Sequence, residues 1–162
     1  MFSGMVEVMA RHGPDILSMA RKNGVQVLFE ASVAGGTPII APLLRDLTAN
    51  DVISIHAIIN GTTNYILTRM AKEYVDFETA LEEAQNLGYA EADPTNDVEG
   101  IDAAYKLAVL STLAFRARVK DTDVHREGIT QLTARDFRYA DELGYAIKLM
   151  AIASHHDDSV QV

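Results

Sequence analysis

Apolar residues recur along the chain in two rhythms, and the switches between them mark out its elements. Residues 14–22 (PDILSMARK) place apolar side chains at helical spacing and stop just before Gly24, which predicts a helix. VQVLFE at residues 25–30 is rich in strand formers and reads as a strand fed by that helix. After the turn AGGTP comes IIAPLLRDL, an apolar helical patch closed by Thr48, Ala49 and Asn50. The β-branched run VISIHAII at residues 52–59 suits a buried strand.

Helical spacing dominates from there. Asn60 and Gly61 turn the chain, and a threonine of NGTT is placed to cap a helix running towards Lys72. Residues 77–86 form a second amphipathic helix that Leu87 and Gly88 stop. Residues 101–115 form a helix too apolar for exposure on most of its faces. TARDFRYADELG, residues 133–144, opens like a capping box and ends on glycine. AIKLMAIAS then reads as a strand, HHDD as a turn and SVQV as the opening of another strand. A strand start without a visible partner suggests a truncated chain. The pattern is layered, with helices lying on a sheet.

Composition narrows the function. With 162 residues and 48% hydrophobic content, one domain or a large piece of one is expected. A formal charge of −9 argues against a nucleic-acid partner, which needs clustered Lys and Arg. No cysteine occurs, which removes disulfides, thiolate nucleophiles and cysteine zinc sites. Glu7, Arg11 and His12 spoil a signal-peptide core, and no apolar run approaches the ~20 residues that cross a bilayer, so the expectation is a cytoplasmic protein without a membrane partner.

The chemistry concentrates in GYAEADPTNDVEGIDAAYK, where Glu91, Asp93, Asp97, Glu99 and Asp102 precede Lys106. Asp93-Pro94 reads as an N-cap followed by proline at the first helical position, and Asp97 and Glu99 suit a helix N-terminus, so these acids have structural explanations. Asp102 and Lys106 are four apart, on one face of an apolar helix. Two readings stand: a solvated ion pair, or a lysine poised in a cleft where its charge stabilises a developing alkoxide. Glu30, beside Gly35 and Gly36, is either a solvated strand end or part of a small-cation site with main-chain carbonyls. AGGTP is not a dinucleotide fingerprint. NGTT can receive an anionic group on its N–H groups, or simply cap its helix. The five histidines lack metal-ligand spacing, and residues 93–99 fail the calcium-loop pattern.

Read in order, FEASVAGGTPII, INGTTNYIL, NLGYAEADPTNDVEGIDAAYKLAVL and ITQLTARDFRYADELGYAIKLMAIA closely resemble homoserine dehydrogenase, from about residue 10 to the end. The third segment is the most specific. The resemblance implies reduction of aspartate 4-semialdehyde to homoserine with NADP or NAD as cofactor, on the route to threonine, methionine and isoleucine. It implies that Lys106 assists proton transfer to the carbonyl oxygen with Asp102 beside it, and that Glu91 and Asp97 surround the substrate's amino group and water network. Gly61 and Thr62 correspond to the turn near nicotinamide and substrate. Glu30, Val33 and Gly35 resemble the segment that binds a monovalent cation, sodium or potassium. The implied fold, which resembles the alternation above, is α+β, a mixed β-sheet with helices packed on one face, and the implied assembly is a homodimer.

The chain departs from that pattern. A glycine-rich nucleotide-binding half is expected ahead of residue 1, and the family's T-A-N-K lysine falls by spacing near Val6, where MFSGMVEV has none. Residues 1–29 are therefore expected to be the tail of a nucleotide-binding domain, and residues 30–162 a C-terminally truncated catalytic and dimerisation domain. The rival reading is a non-catalytic oligomerisation or ligand-binding module derived from that domain; a weaker third is an acidic calcium-binding domain.

Overall fold

In the computed structural model, which describes residues 3–156 and 159–162, strands β1 (Ser54–Ala57), β2 (Ala151–His156) and β3 (Ser159–Gln161) form one sheet in the order β1-β2-β3. Pairing Ile55 with Ala153 and Ala57 with Ala151 gathers small and branched side chains on one face, which Val160, paired with His155, shares. That face packs with Leu107 and Phe115. Ser54, His56, Ile152 and His156 lie exposed on the other.

The helices are α1 (Ser3–Lys22), α2 (Gly61–Glu73), α3 (Phe77–Asn86), α4 (Thr95–Val98), α5 (Ile101–Ala114) and α6 (Ala134–Glu142). The chain divides into two compact units. The first comprises Met1–Ile59, Asp102–His125 and Ala151–Val162; the second comprises Asn60–Ile101 and Arg126–Met150. In the first, Met9 and Ala10 of α1 pack with Phe29, Val33 and Ile40 and with Ala108, Val109 and Leu110 of α5. In the second, Ile66, Leu67 and Met70 of α2 pack with Phe77, Ala80 and Ala84 of α3 and with Val98, Ile129 and Phe137.

Caps follow local chemistry. Gly88 and Gly144 adopt φ of +77° and +76° where α3 and α6 stop, a region open to glycine. The Asp136 carboxylate accepts from both the N–H and the hydroxyl of Thr133, 2.8 and 2.7 Å away, at the start of α6.

The α+β expectation holds, with a sheet that is antiparallel rather than mixed at both of its described pairings. Other expectations shift. Residues 25–29 join no ladder, because no strand among the described residues lies alongside to satisfy their backbone, and Glu30 opens a short 3-10 turn, Glu30–Ser32. Pro14 sits inside α1 instead of starting it, with Val6, Met9 and Ala10 buried on the turns before it. Residues 39–47 contain the wide-turned helix Pro42–Asp46. The strand expected over AIKLMAIAS begins only at Ala151, where pairing with Ala57 starts, and runs through His155 and His156. The rest of the expected HHDD turn, Asp157 and Asp158, lies outside the described residues.

Candidate active site

Helix α5 from Asp102 onward is apolar nearly all round, with Ala103, Ala104 and Leu107 through Ser111 buried. Two charged side chains interrupt it. One helical turn brings Lys106 Nζ to 2.6 Å from Asp102 Oδ2, and the same ammonium donates to the Ile59 carbonyl at 3.0 Å. The side chains are only 19% and 12% exposed, so this is not the solvated pair that spacing alone allowed. In such surroundings a lysine pays for desolvation through direct acceptors, and a carboxylate plus a carbonyl supply them. The result is a fixed positive charge with one flexible arm's reach, able to donate to an oxygen that gains negative charge.

The second unit holds the other acids. Asn60, buried, caps α2: its Oδ1 accepts from the Thr63 N–H and hydroxyl, both at 2.9 Å, while its Nδ2 donates to Asp97 Oδ1 at 2.6 Å. The cap is thus Asn60, not a threonine. Thr62, also buried, donates to the Tyr89 carbonyl at 2.7 Å, and the Tyr89 ring stacks on Tyr65 with centroids 4.8 Å apart. These contacts pin the segment before Glu91, whose own carbonyl accepts from Gln85 Nε2 at 3.1 Å while its side chain is exposed. Gly61 is exposed, and a Cβ added there would meet no heavy atom within 4 Å. That open space suits close approach of a flat ring.

Asp93, Asp97, Glu99 and Asp102 go to separate partners. Asp93 lies one residue earlier than the N-cap position of α4, which Pro94 holds without a side-chain cap bond, and Asp93 Oδ1 accepts from the N–H and hydroxyl of Thr95 at 3.1 and 2.6 Å. The Thr95 contacts hold its carboxyl below the usual aspartate range. No group of three or more His, Asp or Glu side chains converges on a metal-sized space among the described residues.

Glu30 has a structural task. Its Oε1 accepts from the N–H of Ile39 and, at 2.8 Å, of Ile40; Oε2 accepts from Ala41 at 2.8 Å. These N–H groups open the helical segment that follows, so the carboxylate caps it across the glycine loop. Desolvation pushes the Glu30 carboxyl up, and the three backbone donors together outweigh it and hold the group below its ordinary value. In the loop between, Val33 is buried while Ala34 and Gly35 take φ of +61° and +57°.

The expected pair Asp102 and Lys106 therefore meets directly, and Asp97 is tied to the residue before Gly61 and Thr62. Sequence reasoning missed Asn60 as the link and the Ile59 carbonyl as the second acceptor. Asn60 carried a signal, since asparagine ahead of G-T-T is a strong cap candidate; a main-chain carbonyl carries none.

Comparison with known proteins decides the kinship. The family profile described as homoserine dehydrogenase matches residues 38–162. A homoserine dehydrogenase of Synechocystis sp. is 56% identical over 146 residues, 90% of this chain and 34% of that one. The chain belongs to the homoserine dehydrogenase family. A Bacillus subtilis homoserine dehydrogenase is 46% identical over 156 residues, 96% of this chain and 36% of its own length. The crystal structure of a homoserine dehydrogenase from Thiobacillus denitrificans superposes with a TM-score of 0.91 at 50% identity, over 96% of this chain and 36% of that one. The chain thus spans about a third of the length of the homoserine dehydrogenases it matches. Gly61, Thr62, Glu91, Asp97, Asp102 and Lys106 fall inside the region matched to the homoserine dehydrogenase family, and Glu30, Val33 and Gly35 precede it.

Proposed function

We propose that the protein carries the substrate-binding core of a homoserine dehydrogenase, which reduces aspartate 4-semialdehyde to homoserine in the biosynthesis of threonine, methionine and isoleucine. The observation that carries this reading is the sequestered Lys106–Asp102 pair at 2.6 Å, set in a chain of this family. NADPH or NADH, when bound, supplies the hydride. The chain's own residues orient the substrate and manage charge. Lys106 donates a hydrogen bond, then a proton, to the aldehyde oxygen as it becomes an alkoxide, and Asp102 fixes the ammonium in place. Asp97 and Glu91 receive the substrate's amino group. Gly61 and Thr62 border the nicotinamide and substrate; the hydroxyl proton of Thr62 is committed to Tyr89, which leaves its oxygen as an acceptor.

In the same reading residues 1–29 end a nucleotide-binding domain and residues 30–162 belong to the catalytic and dimerisation domain of a cytoplasmic homodimer. Glu30 shapes the loop whose carbonyls, with those of Val33 and Gly35, hold sodium or potassium.

The test is turnover by the full-length protein, followed as homoserine-dependent reduction of NADP or NAD, together with homoserine binding by calorimetry. Turnover that disappears in Lys106→Ala supports the enzyme reading. The chain's one-third span of its relatives keeps a second reading in play, a non-catalytic module; homoserine binding without any turnover in the full-length protein selects it.

A further inference from the structure

Asp97 sits on α4, a helix of four residues. One turn cannot hold itself, because nucleation fixes several residues for a single internal bond. Its placement has to come from tethers. One is the Asn60 amide on Asp97 at 2.6 Å. The other is the segment 127–130, which presses on the far end of α4. The Ile129 N–H donates to the Val98 carbonyl at 2.8 Å, and the Thr130 hydroxyl reaches Glu99 Oε1 at 3.3 Å.

That contact exists only because two glycines permit it. A Cβ at Gly128 would stand 2.8 Å from the Val98 carbonyl oxygen and 2.8 Å from Glu99 Oε2, closer than real side chains tolerate, and a tight 3.1 Å from Glu99 Cα. Two of those three atoms are backbone, so relief requires the end of α4 and the segment 127–130 to move apart. Gly100 takes φ of +72°, and its Cβ position faces the Glu127 carbonyl at 3.4 Å. Val98 and Ile129, both buried in one cluster, seal the seam.

We propose that the segment 127–130 is the device that sets the height of Asp97, and that Gly128 is a positioning residue for the site that takes the substrate's ammonium group. The proposal rests on the reading of Asp97 given above. Gly128 touches no substrate; it acts through Val98 and the single turn of α4.

The experiment measures homoserine affinity of the full-length protein by calorimetry, with melting temperature and the Asn60 side-chain amide resonance followed in parallel. Gly128→Ala is expected to weaken homoserine about tenfold, with the cofactor's affinity unchanged and the Asn60 resonance displaced. In an Asp97→Asn background the same substitution adds no further loss. Unchanged affinity with an undisplaced resonance overturns the proposal, and so does an equal loss in the Asp97→Asn background. Should Gly128→Ala fail to fold, Thr130→Val, which deletes only the hydroxyl on Glu99, decides: a loss of about threefold that vanishes without Asp97 supports the device, and no loss rejects it. Asp97→Asn with undiminished affinity instead removes the assigned role of Asp97, and the Asn60 resonance then still reports whether Gly128 positions α4.

Discussion

Lys106 Nζ lies 2.6 Å from Asp102 Oδ2 on the wall of a helix whose neighbouring side chains are buried. An ammonium so placed is a fixed donor rather than a mobile surface charge. In the full-length protein Lys106→Ala is expected to lower kcat on the order of 10²- to 10⁴-fold with little change in cofactor affinity. Asp102→Asn lowers the same step, while Lys72→Ala, exposed in the last turn of α2, leaves turnover unchanged. Steady-state kinetics with cofactor titration checks all three.

Asn60 does two jobs with one amide, and its loss has two separable readouts. Asn60→Ala removes the acceptor for Thr63 and the donor to Asp97, so stability falls by about 1 kcal/mol or more from the lost cap. Homoserine affinity falls as well. Asn60→Asp keeps the cap but sets a carboxylate against Asp97, so stability recovers more than affinity does. Urea denaturation and calorimetry on the same two variants test this.

Glu30 links stability to pH. Its folded carboxyl lies below its ordinary value of 4.5, so the three N–H bonds contribute fully above that pH and their contribution is lost as pH falls through the depressed folded value. Glu30→Gln is expected to lower stability at pH 7 and to flatten the decline below pH 4.5. Asp136, held down by the Thr133 N–H and hydroxyl, contributes with the same sign and sustains part of the slope. Denaturant midpoints measured from neutral to acidic pH give the comparison.

Ser111 Oγ is fully buried on α5 and is the one such side-chain nitrogen or oxygen without a hydrogen-bond partner among the described residues. Removing an unsatisfied buried hydroxyl relieves its desolvation, so Ser111→Ala is expected to stabilise the protein by about 1 kcal/mol. An unchanged or lower denaturation midpoint contradicts the assignment.

Most helices were legible because their signals are local. The stops at Gly88 and Gly144 and the Thr133–Asp136 start depend on residues within one turn, as does the i, i+4 meeting of Asp102 and Lys106. The failures are non-local. VQVLFE has strand composition, but a strand is a pairing, and no partner among the described residues stands beside it. Pro14 marks a helix start by local rule, yet the buried residues Val6, Met9 and Ala10 carry the helix through it. Glu30 read as a strand end or a cation ligand; its N–H partners lie nine to eleven residues further on.

By itself, the sequence determined the family, the α+β class, most of the helices with the stops at Gly88 and Gly144 and the Thr133–Asp136 start, and the spacing that allows Lys106 to face Asp102. Those follow from residue order within a few positions. Only the tertiary structure decided that this pair is sequestered and shares the Ile59 carbonyl, that Asn60 ties Asp97 to the start of α2, and that Gly128 lets a distant segment press on α4. The first turns on burial, and the others bring together groups far apart along the chain, among them main-chain carbonyls that are chemically the same in every residue, so residue order within a few positions does not announce them.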